Sequence, residues 1–208
     1  HAAGQTRDGF IRGKDLGQLP EVLQPKVTGS INLDRASAGI GIELDFLLLC
    51  SSVAGVLGNG AQADYAAANG FMDAWAHWRD QHRSGRTVSV NWPLWEQGGM
   101  HMPEHQRRWL QEATGMQPLQ TERGLEAFVH ALHQGQPQLL VVQGLLHRLR
   151  QLLSQPQMLL VAPQPEPEPR AQAQPEAAPT PPADLHERTQ DFLKQALSGV
   201  LQLPPQRI

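Results

Sequence analysis

The stretch LLLCSSVAGVLGNGAQADYAAANGFMDAW, residues 47–75, decides the fold. It opens on an apolar run, passes through Ser51 and Ser52, is broken by Gly55, Gly58 and Gly60, and resumes around the chain's single tyrosine, Tyr65. A short apolar run bounded by turn signals reads as a strand covered on both faces, here Leu44–Cys50. A helix is predicted from about Ala61 to Arg83, with Gly85 as its left-handed stop. Strand, glycine-punctuated turn and helix make one βα unit, and the carboxyl end of such a strand is where open α/β sheets place ligands. Ser51 and Ser52 stand at that edge. Tyr65 and Asn69, four apart, share one helix face. Serine and tyrosine hydroxyls that converge on one oxygen can polarise a carbonyl and protonate the alkoxide formed as hydride adds. Tyrosine, with a reference pKa of about 10, works poorly near neutrality unless a cation stabilises its phenolate. The chemistry therefore needs a lysine, which spacing alone does not locate.

The same alternation continues on both sides. Further strands are predicted at Thr87–Asn91 and Leu139–Gln143, and further helices at about Gly17–Ala36, Thr121–Gln134 and Leu145–Leu153. The helix from Thr121 carries Leu125, Phe128, Val129 and Leu132 at core-facing spacing. Helices alternating with short strands over residues 1–153 imply an α/β class with a parallel sheet. After this the composition changes. Residues 154–183 hold nine of the chain's 17 prolines and few large apolar side chains beyond Val161, the signature of a Pro-rich tether. Residues 184–208 read as one amphipathic helix, with Asp184 and Glu187 at capping-box spacing and an apolar stripe through Phe192, Ala196, Val200 and Leu201. A single such helix has nothing to bury its stripe against, so it is expected to begin a further domain.

Composition excludes several functions. The 208 residues carry a formal charge of -3 and no dense basic cluster, which removes the field needed to gather nucleic acid. The apolar runs are far shorter than the ~20 residues of a membrane span. One cysteine, Cys50, makes no internal disulfide, and a buried free thiol fits a reducing compartment, with the cytoplasm as the expected location. The chain starts with His1 rather than Met, so it is read as a piece of something longer. His101 with His105 and His130 with His133 have spacings that could suit a metal, but no carboxylate or cysteine cluster joins them, and no metal is expected.

HAAG at 1–4, LQPKVTGSINLD at 23–34, CSSVAGVLGNGAQADYAAANGFMDA at 50–74 and VSVNWPLWEQGGM at 88–100 together resemble the ketoreductase domain of modular polyketide synthases, a branch of the short-chain dehydrogenase/reductase superfamily. NWPLWEQGGM and TGMQPLQTERGLEAF look most like the bacterial enzymes that receive their acyltransferase in trans. The resemblance covers about residues 1–150 and follows the family's motif order. It implies the C-terminal half of a Rossmann-type short-chain dehydrogenase/reductase fold, NADPH as cofactor, and reduction of a β-ketoacyl thioester carried by an acyl carrier protein. By motif match, Ser52 corresponds to the serine that hydrogen-bonds the substrate carbonyl and Tyr65 to the proton donor. Lys26, in PKV, corresponds to the lysine that contacts the nicotinamide ribose and lowers the tyrosine pKa, and Asn69 completes the tetrad. Ordinary members of the superfamily carry lysine four residues after the tyrosine; YAAAN has asparagine there, as in the polyketide branch. The glycine-rich dinucleotide loop is expected ahead of His1, so these residues alone are not expected to hold NADPH tightly.

Stereochemistry follows from the same comparison. B-type domains, which form a D-hydroxyl, carry a leucine-aspartate-aspartate loop after HAAG, and A-type domains carry a tryptophan eight residues before the tyrosine. This chain reads QTRDG, which keeps Asp8 alone, and has Leu57 at the tryptophan position, a pattern that favours B-type. Trp92 and Trp95 are placed near the substrate entrance, with Trp95 a candidate contact for the acyl-pantetheine arm. The final helix looks like the first helix of a carrier protein whose phosphopantetheine serine would lie beyond Ile208, so the expected partners are that carrier and neighbouring synthase domains. Two alternatives remain: a non-catalytic reductase-like structural half, and a free-standing dehydrogenase of small alcohols.

Overall fold

The computed structural model describes residues 1–98, 100 and 102–154. The tether at 154–183 and the carrier-like helix at 184–208 lie, save for Ser154, outside the described residues, as does His101.

The opening stretch forms strand β1, Phe46–Ser52, a short helix α2, Val53–Leu57, and the long helix α3, Ala63–His82. Ahead of β1 runs α1, Leu19–Gly39; after α3 comes β2, Arg86–Trp92. Then follow α4, Glu104–Thr114, α5, Thr121–His133, β3, Gln138–Leu140, and α6, Leu146–Ser154. The three strands make a parallel sheet in the order β1-β2-β3, with Phe46 opposite Arg86 and Ser52 opposite Trp92. Helix and strand bounds follow the sequence reading within a few residues. Two helices were not foreseen. α2 is a single turn capped by Ser52, whose Oγ accepts the Ala54 N–H. α4 has few apolar residues, so no stripe marks it; its sequence signals are Pro103 before its start and Gly115 after its end.

Both faces of β1 are covered. Leu47 and Leu49 pack on Met72 and Ala76 of α3, while Leu48 joins Val88, Val90, Trp92 and the α5 residues Ala131 and Phe128. β2 alternates apolar and polar residues, yet its polar face is also buried. Thr87, Ser89 and Asn91 point to α3, where Arg79 donates to Thr87 Oγ1 at 2.7 Å and Asp73 accepts from Ser89 and Asn91 at 2.6 and 2.8 Å. These three buried side chains each find a partner, as burial requires.

α1 carries Pro25 in its interior, which leaves the Glu21 carbonyl without its intrahelical donor. The Gln5 side-chain amide supplies one at 2.6 Å. Lower in the same helix Asp34 accepts Arg79 Nε at 2.8 Å and Arg83 Nη2 at 3.1 Å, joining α1 to α3.

The apolar stripe expected on α5 is corrected by the structure. Phe128 and Leu132 face the sheet, but Leu125 and Val129 are 58% and 54% exposed. The cause is Gly124: a Cβ there would lie 2.2 Å from the Trp95 ring, so the helix turns its Gly124–Phe128–Ala131 edge inward. Gly85 is left-handed as expected, with φ 75°, but it does not cap α3. The helix ends at His82 with Arg83 extended, and Gly85 lets the turn into β2 pass the Leu44 carbonyl, 1.7 Å from where a Cβ would sit. Among the described residues no helix is long and apolar enough to cross a membrane.

Two stability effects follow. Gly85→Ala adds a Cβ against backbone in a left-handed turn and should destabilise the fold by about 2 kcal/mol or more, measured by urea unfolding. Asp34→Ala leaves the buried Arg79 guanidinium without its carboxylate and should cost about 3–5 kcal/mol in the same assay.

Candidate active site

The carboxyl ends of β1 and β2 open into a cleft of about 520 Å³, an ordinary size for a small-molecule site. Ser52, Tyr65, Lys26, Asp8 and Trp95 all line it. They come from the end of β1, the first turn of α3, the middle of α1, the N-terminal segment and the loop after β2, so the tertiary fold brings together residues the sequence holds far apart.

Lys26 is almost fully buried. Its Nζ donates to the Cys50 carbonyl at 2.9 Å, lies 3.6 Å from Met72 Sδ, and sits 5.7 Å from the centroid of the Tyr65 ring. Burial pushes its pKa below the ordinary lysine value, while the fields of Cys50 and Asp73 act in the opposite direction. Space for this ammonium is left by the N-terminal segment. His1 is tied to β1 by two backbone hydrogen bonds, to Leu48 and Cys50, and a Cβ on Gly4 would lie 2.9 Å from Lys26 Cε.

Tyr65 is buried along its ring, and its hydroxyl donates to Met100 Sδ at 3.7 Å. Burial pushes the phenol above its ordinary value; hydrogen bonding from Ser52 and Asn69 works against that rise, and the Asp8 charge adds to it. The lowering expected from Lys26 is therefore corrected: burial outweighs it, and the phenol holds its proton throughout the neutral range. Ser52 uses one lone pair to accept the Ala54 N–H at 3.2 Å, which leaves its own O–H free to donate into the cleft. Asn69 lies one turn below Tyr65, fully buried and behind the cleft wall. Its Nδ2 donates to the Tyr65 carbonyl at 2.7 Å, and its Oδ1 has no hydrogen-bond partner among the described residues.

The two candidates for stereocontrol part company. Asp8 faces the cleft and accepts from Gln62 Nε2 at 2.9 Å. Leu57 does not reach the wall. It packs with Met116 and Leu149 in an apolar cluster that Leu110 adjoins, and Met116 and Leu110 front the cleft. Trp95 stacks edge-on against Trp92 at 5.1 Å between ring centroids and rests on Gly124, which fixes its indole as one wall. Four further lining residues were not foreseen: Met100, Met102, Trp109 and Leu110, from α4 and the loop before it. Their signal was present in GGMHMPEHQRRWL as apolar residues scattered through a polar stretch, without the regular stripe that marks a core helix. Among the described residues no group of three or more His, Cys, Asp or Glu side chains is placed to hold a metal, and His133 bonds the Val129 carbonyl of its own helix at 2.7 Å.

Residues 1–97 match the family model described as KR domain. The chain is 37% identical over 217 residues to polyketide synthase PksL of Bacillus subtilis, an alignment that spans all of this chain and 5% of that protein. It is 38% identical over 149 residues to polyketide synthase ThaG of Burkholderia thailandensis, across 69% of this chain and 3% of that one. The chain thus spans about a twentieth of such curated relatives. Among solved structures, a ketoreductase domain from the bacillaene assembly line matches with a TM-score of 0.70 and 44% identity, covering 74% of this chain and 37% of that chain. A ketoreductase from the macrolactin assembly line matches at 0.64 and 37%, over 73% of this chain and 29% of that one. The parallel sheet of residues 1–154 is that of the Rossmann-like ketoreductases. In motif order, in topology and in relatives alike, residues 1–97 belong to the KR domain family, and the chain around them is similar to the ketoreductases of polyketide synthases.

Proposed function

We propose that the chain supplies the catalytic half of a ketoreductase that reduces a β-ketoacyl thioester, presented on an acyl carrier protein, to the β-hydroxyacyl thioester, with NADPH as reductant. The observation that carries this reading is the convergence of Ser52, Tyr65 and Lys26, from three separate elements, on one cleft. A structural half without catalysis has no need to bury a lysine beside the tyrosine.

The cleft suits a nicotinamide cofactor. Gly4 leaves open the space over Lys26 that a side chain would fill, and the Lys26 ammonium keeps donor capacity beyond its bond to Cys50. Lys26 and Tyr65 would hold the nicotinamide ribose. When bound, NADPH supplies the hydride that the β-carbon receives.

The protein's own groups handle the oxygen and the proton. The Ser52 O–H, its acceptor side engaged by Ala54, donates to the ketone oxygen and polarises the carbonyl. Tyr65 also donates to that oxygen; the soft Met100 sulfur, a weak acceptor, occupies the place the ketone oxygen would take. As charge builds on the oxygen Tyr65 releases its proton to it, and the buried Lys26 ammonium stabilises the phenolate left behind. Asn69, bonded to the Tyr65 carbonyl, keeps the first turn of α3 in place. Asp8 at the cleft supports B-type delivery and a D-hydroxyl, while Leu57 packs behind the cleft-lining Met116. Trp95 offers a flat wall for the pantetheine arm. Alignments to PksL and to a second B. subtilis synthase, PksN, run the full length of this chain, which supports reading residues 184–208, like the rest, as part of a polyketide synthase.

The deciding assay follows NADPH oxidation by the complete ketoreductase with a β-ketoacyl thioester. Tyr65→Phe should lower kcat by about 10²-fold or more with little change in KM, and chiral chromatography of the wild-type product should show the D-hydroxyl. Full activity in the variant would remove Tyr65 as the acid.

Lys26 yields a second prediction. Because its folded pKa lies below that of the unfolded chain, burial of the ammonium costs stability below the folded pKa, and stability rises with pH through the window between the two values. Lys26→Met removes that cost, so it should hold or raise Tm at pH 7 while lowering kcat by about 10²-fold. The alkaline loss of wild-type activity should begin below the ordinary lysine value, as Lys26 discharges.

A further inference from the structure

Residues 5–18 bring Thr6 and Asp8 to the cleft, yet none of them is buried as a residue. The two short 3-10 turns at Ile11–Gly13 and Leu16–Gln18 contain no buried residue either, and Phe10, Ile11 and Leu16 are exposed. Apolar burial therefore cannot fix this segment among the described residues, and its attachments must be polar. One of them, Arg7 with Glu21, is about half exposed, where screening leaves an ion pair little worth.

Another is different. Lys14 Nζ lies 2.7 Å from Asp64 Oδ2 with the two side chains only 5% and 2% exposed, a buried charge contact that falls outside hydrogen-bond geometry, so its worth is electrostatic. Lys14 also donates to the Arg7 carbonyl at 2.5 Å, so the same ammonium that reaches Asp64 folds residues 7–14 into a loop. Asp64 directly precedes Tyr65, and its Oδ1 accepts the Tyr65 N–H at 2.9 Å. Between these anchors the segment is stitched to the loop that leads into α3: Gly9 N donates to the Ala61 carbonyl at 2.7 Å, and Gln62 Nε2 to Asp8 Oδ1 at 2.9 Å. Ala61 is the only non-glycine residue with positive φ, 59°, among the described residues, a conformation that persists where surrounding contacts over-determine it.

We propose that Lys14 and Asp64 are positioning residues, whose buried ion pair holds the Asp8 segment at a fixed height over the Tyr65 end of the cleft and so sets which way round the ketone lies. A water-excluded pair fixes geometry far more firmly than an exposed one, because both charges lose their solvent if they separate without moving out of the interior. The pair does not touch the reacting oxygen. Its effect is on orientation, and orientation decides which face of the ketone receives hydride.

This inference rests on the ketoreductase reading above, and the test separates the two. The complete ketoreductase with NADPH and a β-ketobutyryl pantetheine thioester would be compared with the neutral pair Lys14→Gln/Asp64→Asn, with Lys14→Arg, and with Tyr65→Phe as the control for catalysis. The neutral pair should raise the share of the minor hydroxyl configuration about tenfold and raise KM, with kcat within about threefold of wild type. Lys14→Arg, which keeps the charge, should retain the wild-type configuration. A neutral pair that preserves configuration and KM, whether or not its Tm falls, overturns the proposal, as does one that fails to fold, since the pair is then a fold element. Activity surviving in Tyr65→Phe would instead remove the catalytic reading and this proposal with it.

Discussion

The buried carboxylate of Asp73 is the constraint on which the active cleft depends. It sits two turns along α3 from Tyr65 and accepts from Ser89 and Asn91 of β2. Asn91 passes the constraint on, donating to Ser51 Oγ and to the Ser52 carbonyl, both at 3.0 Å, while its Oδ1 accepts from Gln138 of β3. One carboxylate thus fixes the register of α3 against all three strands. It also limits what may stand opposite, for a Cβ on Gly55 would lie 3.0 Å from Asp73 Oδ2. A network of this kind, with every member satisfied, specifies one arrangement more narrowly than apolar packing does.

The same network explains how a lysine can be kept in the interior. An ammonium as buried as Lys26 is costly unless neighbours offset the loss of water. Here the Cys50 carbonyl gives a direct bond, and Asp73 contributes a favourable field without forming an ion pair that would quench the charge. Tyr65 lies in the same environment but responds the opposite way, holding its proton more tightly because burial disfavours the phenolate. Desolvation therefore prepares an acid and a cation side by side, each displaced toward its neutral form. In the proposed reduction, giving up the proton would leave Tyr65 in the charged form that burial disfavours, a cost the neighbouring Lys26 ammonium would offset.

Much of this was legible in the chain. The apolar run at 46–50 and the long helix behind it required a βα unit, and period-2 alternation in TVSVNW marked β2. Ser52, Tyr65 and Asn69 could be placed relative to each other because strand edge and helix face have fixed geometry. Lys26 could not be placed that way. Its position comes from a helix 24 residues upstream of Cys50, and motif resemblance alone marked it. α4 was missed because its apolar residues line a cleft rather than a core. The stripe on α5 was misassigned because periodicity shows that a face is apolar, whereas contact between Trp95 and Gly124 decides which edge turns inward.

By itself the sequence determined the class of fold, the order of its elements and the residue types that carry the chemistry, since these depend on local pattern and on spacing along one element. Only the tertiary structure decided which of those residues meet. It put Asp8 at the cleft and Leu57 behind it, brought Met100 onto the tyrosine hydroxyl, and buried Lys14 against Asp64 across 50 residues of chain. Such pairings arise from the way helices pack on a sheet, and burial makes them strong where the same charges in water would hardly interact.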